Sequence, residues 1–271
     1  MEGTQVIKKQ KTGNPFLILA LLYILCFAIR SMLGWVPMLG ILLRGSSDTV
    51  QFMGGGSMGE LYFVMGAEAA MVAAAIITTV KNSGIGTLIL MVLLAIEAIP
   101  GYFYFNFNAM VIVICVFGYL QVNRAGTESR GPGREDGTGL KAWKCNPYFL
   151  CGMVLAAVTL AIDLAIPVIA YFGLFGVQSD GTVDYSFIAE LILQLCSLIV
   201  FYLAAKKNRK LLGGIGLLMQ LGSFAIAYVP NVSYLFGSPS SILWNFLVFG
   251  ILSPAIVVPA IGLLRKEKPG R

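Results

Sequence analysis

The chain has 271 residues, of which 58% are hydrophobic and only 12% charged, with a net charge of +6 and no histidine. A soluble globular domain carries about 25% charged residues, so a water-soluble fold is excluded. The lack of histidine excludes imidazole chemistry: bis-histidine haem, histidine metal sites and Ser-His-Asp catalysis.

The chain opens on KKQKTGNPFLILALLYILCFAI, a basic stretch followed by an apolar one. A signal peptide has the same order, but no small-x-small cleavage site follows. A similar segment, NPYFLCGMVLAAVTLAID, recurs in mid-chain. A retained first span over 15–43 is therefore expected. Further apolar windows at 58–80, 84–100, 107–122, 147–175, 187–205, 211–229 and 241–264 approach the length that crosses a bilayer as a helix. The third and fourth of each set of four are short, which leaves a re-entrant hairpin as the alternative there. Pro37, Pro167, Pro254 and Pro259 predict kinks or breaks.

The basic residues mark topology. All but Arg30 and Arg44 lie before the first span, in the turns at Lys81 and at 206–210, in the central polar stretch or at the C-terminal end. An even count of spans puts all these segments on one side, which the positive-inside rule makes cytoplasmic, both termini included.

Sliding the sequence by 130 residues aligns Pro37 with Pro167, Glu60 with Glu190, Gly84-Ile85-Gly86 with Gly214-Ile215-Gly216 and Pro100 with Pro230. A two-residue adjustment brings Asn14-Pro15 onto Asn146-Pro147 and Phe117-Gly118 onto Phe249-Gly250. Ordered Pro and Gly matches carry weight because those residues fix backbone geometry. The expected fold is an all-α integral membrane protein of about eight transmembrane helices, arranged as two parallel four-helix repeats. The first repeat spans 1–123 and the second 147–271; the polar, Gly-rich segment 124–146 is a cytoplasmic linker between them.

Charges inside the spans are the candidate functional groups. At about 1.5 Å of rise per residue, Arg30, Glu68, Glu97, Asp163 and Glu190 all fall roughly 20 to 24 Å above the cytoplasmic boundary. Glu68 follows two turns of helix and precedes a run of alanines; a carboxylate at that depth costs several kcal/mol unless it is protonated, paired or wet. The alanines let another helix come close. Glu68, Glu97 and Glu190 are accordingly the expected substrate- or ion-binding residues. Arg30 and Asp163 hold nearly equivalent places on the first helix of each repeat, and a gating or bracing ion pair is expected between them.

Other features have simpler readings. Glu60 completes Ser57-x-x-Glu60, a capping box at the outer surface. The five cysteines read as small packing residues, since none lies in a predicted outer loop and their spacing is not a zinc pattern. The aromatics of PGYFYFNFN and Trp35 form an interface belt, or alternatively an entrance for an organic cation. FMGGGSMG is an outer loop, and Asn231-Val232-Ser233 a short glycosylation match.

The expectation from sequence is a transporter or permease with a carboxylate-rich intramembrane site. It is proton-coupled, handles a cation or small polar solute, and is not an enzyme. No cofactor, metal or nucleic acid is expected; the partners are the lipid bilayer and the solute. The alternative is a non-catalytic membrane subunit or accessory protein that docks partner membrane proteins.

Overall fold

A computed structural model describes residues 13–43, 58–98, 105–128, 145–171, 185–228 and 252–265. Among the described residues the chain is all-helical: α1 (Pro15–Leu43), α2 (Met58–Lys81), α3 (Gly84–Ala98), α4 (Phe105–Glu128), α5 (Pro147–Tyr171), α6 (Tyr185–Lys207), α7 (Lys210–Tyr228) and α8 (Pro254–Leu264). The glycine loop at 52–57, residues 100–104 of the aromatic stretch, the linker from 129 to 144, the sequon at 231–233 and the first half of the last expected span lie outside the described residues, as do the side chains of Trp35 and Glu60.

Five helices contain windows long and apolar enough to cross a membrane: Pro15–Met32, Phe107–Arg124, Pro147–Ala165, Ser186–Lys207 and Lys210–Ala227. The helix α4 runs past the expected end at 122 to Glu128, because polar residues continue a helix readily once it has left the apolar layer. Pro37 and Pro167 lie within α1 and α5 without ending them, and Pro259 is inside α8. Pro254 is the first residue of α8, where its missing N–H is no loss.

Local chemistry sets several of these ends. Asn14 and Asn146 each precede a helix-opening proline, and each side-chain oxygen accepts from a main-chain N–H two residues on, Phe16 N and Tyr148 N, both at 3.1 Å. These are N-caps, which satisfy donors that the first turn leaves open. The turns between α2 and α3 and between α6 and α7 pass through Asn82 (φ 48°) and Asn208 (φ 49°), left-handed positions that asparagine tolerates better than most residues.

The helices form two rings. In the first, α1 packs on α2, α2 on α3, α3 on α4, and α4 back on α1; in the second, α5, α6, α7 and α8 close in the same order. The rings meet where α4 and α5 touch. A shared core there joins Phe16, Tyr23 and Ile24 of α1 and Ile114 of α4 to Tyr148 and Leu155 of α5 and Val258 of α8. Phe16 stacks on Tyr148 with ring centroids 5.1 Å apart. The Tyr23 hydroxyl donates to the carbonyl of Leu252. Close helix approach depends on glycine at the α1–α4 contact, where a Cβ at Gly118 would lie 2.7 Å from Leu17 Cδ2. The Gly118 carbonyl accepts from Asn14 Nδ2 at 2.8 Å.

The outer surface is apolar. On α6 the exposed residues Ile188, Ile192, Leu195, Ile199 and Tyr202 recur at helical spacing, as do Ile85, Leu88, Ile89, Val92 and Ile96 on α3. Soluble monomers rarely expose contiguous apolar faces of this kind. The inward face of α6 carries Glu190, Gln194 and Ser197, spaced so that they share one side. A helix with its apolar side out and its polar side in is built for lipid rather than water.

Candidate functional site

Each helix of the first ring contributes a polar residue to the candidate site, Ser31, Glu68, Glu97 and Asn108, while Thr78 of α2 and Thr87 of α3 are buried elsewhere in the ring. Ser31 of α1 donates its hydroxyl proton to Glu68 Oε1 of α2. Glu68 is only 7% exposed, so the alanine-rich stretch of α2 turns it into the ring rather than toward the acyl chains. Glu97 of α3 is half-buried and close enough to Glu68 for the two charges to interact. Asn108, near the start of α4, is fully buried. Its Nδ2 faces Glu97 Oε2 at 3.4 Å and the Leu94 carbonyl at 3.3 Å.

Since both neighbours of Asn108 Nδ2 are acceptors, the amide orientation is determined: the NH2 group must face them. Asn108 Oδ1 is then a buried acceptor with no partner among the described residues. An acceptor left in that state costs about 1–3 kcal/mol, and native structures leave few of them. The cluster holds two carboxylates and a spare amide oxygen, a set of hard oxygen donors suited to a cation or to a solute bearing N–H or O–H groups.

A second cluster lies inside the other ring. Gln194 of α6 is 2% exposed, and its Nε2 donates to Asp163 Oδ2 of α5 at 2.7 Å and to Glu190 Oε1 one turn earlier at 3.2 Å. Gln194 Oε1 is buried and unpartnered among the described residues. Closer to the α6–α7 turn, the Ser197 hydroxyl lies 2.8 Å from the Gln194 carbonyl and 2.7 Å from Gln220 Oε1 of α7. Gln220 is buried as well.

No known protein family, curated protein or solved structure matches the chain. What the site does must therefore be read from its own atoms.

The structure brings Glu68 and Glu97 together in one ring, and Glu190 and Asp163 together in the other through Gln194. Asp163 takes its hydrogen bond from Gln194, while Arg30 stands half-buried on α1. Ser31, the residue that meets Glu68, follows Arg30 directly and points about 100° around the helix from it. Sequence reasoning centred on charges passed over Ser31, Asn108, Gln194, Ser197 and Gln220. One signal could have found them: amides and hydroxyls within apolar spans are costly without a partner, so each marks an inward face. Among the described residues no group of three or more His, Cys, Asp or Glu side chains is disposed to hold a metal ion.

Proposed function

We propose that the protein is a multi-pass membrane permease that moves a cation or a small polar solute, coupled to protons, through a carboxylate site centred on Glu68 and Glu97. The observation that carries this reading is Glu68, a carboxylate 7% exposed inside a helix ring whose exterior is apolar. Ionisable side chains in membrane segments are expensive, and when they face a bundle interior they commonly mark ion or proton pathways. Its partners inside the ring are a hydroxyl from Ser31 and a neighbouring carboxylate, groups that can exchange a proton or hold a cation without locking it in place.

In this reading the chain crosses the bilayer eight times as two parallel four-helix units, with 124–146 and both termini in the cytoplasm. Two observations support it: the identical order in which α1–α4 and α5–α8 close into rings, and the basic residues gathered at the Lys81 and 206–210 turns. Glu190 contributes from the second ring. Arg30 and Asp163, one in each ring, are the opposite charges that would brace or gate one ring against the other.

The test is flux into proteoliposomes reconstituted with the pure protein, with and without an imposed pH gradient, comparing wild type with Glu68→Gln. Gradient-driven flux in the wild type that is lost in the variant supports the permease. Flux that Glu68→Gln leaves unchanged, or no flux in either protein, overturns it in favour of an accessory subunit that docks partner membrane proteins.

A further inference from the structure

Three stretches of chain that are distant in sequence are pinned together at one corner of the second ring, at the end that carries the α6–α7 turn. Asn146, just before α5, donates from its main-chain N–H to the Ala205 carbonyl at 3.1 Å and from Nδ2 to Asn208 Oδ1 at 3.1 Å. Lys210, the first residue of α7, donates from Nζ to the Arg265 carbonyl just past α8 at 2.6 Å. Arg265 in turn donates from Nη1 to the Tyr148 hydroxyl at 2.8 Å, and its guanidinium stands 5.3 Å from the centre of that ring. Beneath them, α7 and α8 reach α5 through glycines: a Cβ at Gly213 would lie 2.3 Å from Phe149 Cε1, and one at Gly262 2.8 Å from Tyr148 Cβ. The two basic side chains are therefore held in place on a close-packed base, which lowers the ordering cost of binding.

The charge at this corner is one-sided. Residues 191–266 hold six basic residues and no acidic one, and the next acid, Glu267, lies outside the described residues. Along α5 and α6 the first carboxylates are Asp163, 16 residues past Pro147, and Glu190, 16 before Lys206, each about 24 Å away along the axis. Orientation in a membrane does not require so much charge: the α2–α3 turn reads KNSG with a single lysine, where the α6–α7 turn reads KKNRK. Two apolar side chains adjoin the basic pair in sequence, Leu211 at 78% and Leu264 at 82% exposed.

We propose that Lys210 and Arg265, flanked by Leu211 and Leu264, form a binding site for one anionic phospholipid, its phosphate against the two cations and its acyl chains against the two leucines. The bond to Tyr148 takes one N–H of a guanidinium that has five, and the bond to the Arg265 carbonyl takes one of the three on the Lys210 ammonium. The remaining donors suit phosphate oxygens, which arginine can grip in a bidentate fork. A free phosphate gains nothing from two exposed leucines. A lipid covers both, at the boundary where headgroups meet hydrocarbon. The site does not depend on what the first ring carries, and lipid binding is measured without any flux.

The experiment is native mass spectrometry of the delipidated full-length chain in mild detergent, titrated with phosphatidylglycerol or with phosphatidylcholine of the same acyl chains. Wild type is compared with Lys210→Gln, Arg265→Gln and Lys81→Gln. The expected result is one phosphatidylglycerol bound more tightly than phosphatidylcholine, with a Kd that rises about fivefold in each of the first two variants and stays unchanged in Lys81→Gln. Both substitutions lie at the surface, and either carries the test if the other does not fold. Equal affinity of the wild type for the two lipids, an unchanged Kd in either folded variant, or an equal loss in Lys81→Gln overturns the proposal. Displacement of the bound lipid by inorganic phosphate at a comparable concentration overturns it too, because the ligand would then be a free anion.

Discussion

The hydroxyl of Ser31 donates to the carboxylate of Glu68 across the contact between α1 and α2. This one bond joins a residue that sequence reading passed over to the residue it ranked first, and it ties the orientation of two helices to the chemistry of the site.

Ser31→Ala removes the donor and leaves a buried carboxylate oxygen unpaired. Hydrogen bonds between helices in a membrane average about 0.6 kcal/mol and reach about 1.7, and a loss of stability in that range is expected by thermal or denaturant unfolding in detergent. In a double-mutant cycle with Glu68→Leu, which removes the acceptor, a coupling energy of about 0.5 kcal/mol or more is expected. Strict additivity would mean that the contact contributes nothing.

Two glycines on helices should respond in opposite ways. A larger side chain at Gly118 runs into Leu17, 2.7 Å from where its Cβ would sit, so Gly118→Leu is expected to cost about 1–3 kcal/mol and to weaken the Asn14 tie to the same residue. A Cβ at Gly66 meets nothing within 4 Å, so Gly66→Ala should stabilise by roughly 0.5–1 kcal/mol through backbone entropy. Melting temperatures of the two variants that move in the same direction would contradict the α1–α4 packing.

At Asn82 the backbone is left-handed, with φ 48°. Asn82→Ala is expected to cost about 1–2 kcal/mol, whereas Asn82→Gly should be close to neutral because glycine enters that region freely. Equal stabilities for the two variants would mean that the turn relaxes into another conformation. The same pair of substitutions at Asn208 (φ 49°) should reproduce the result.

Topology can be read by labelling. With the native cysteines replaced, a cysteine introduced at the exposed positions Lys81 or Lys206 is expected to react with a membrane-impermeant maleimide only after the cells are opened, because the proposed topology puts both turns in the cytoplasm. Labelling of either site in intact cells would reverse the orientation or change the number of crossings between them.

Much of the architecture was legible in the chain. The starts and ends of α1, α2, α3, α5, α6 and α7 lie within a few residues of the apolar windows, since Asn-Pro caps, basic turns and apolar runs are local signals that act over a few residues. Outside that reach, α4 continues to Glu128 because a polar flank signals the end of the apolar layer and not the end of the helix.

Composition and periodicity by themselves determined that this chain is helical, apolar and unsuited to water, and where its buried charges fall along each helix. Tertiary structure decided which groups meet: Ser31 faces Glu68, Asn108 reaches Glu97, and Gln194 bridges Asp163 and Glu190. Rise fixes height, but a single residue rotates a side chain by about 100° around the helix. The partners across an interface depend on which helices are neighbours and how each is turned, and both are settled only when the whole bundle packs.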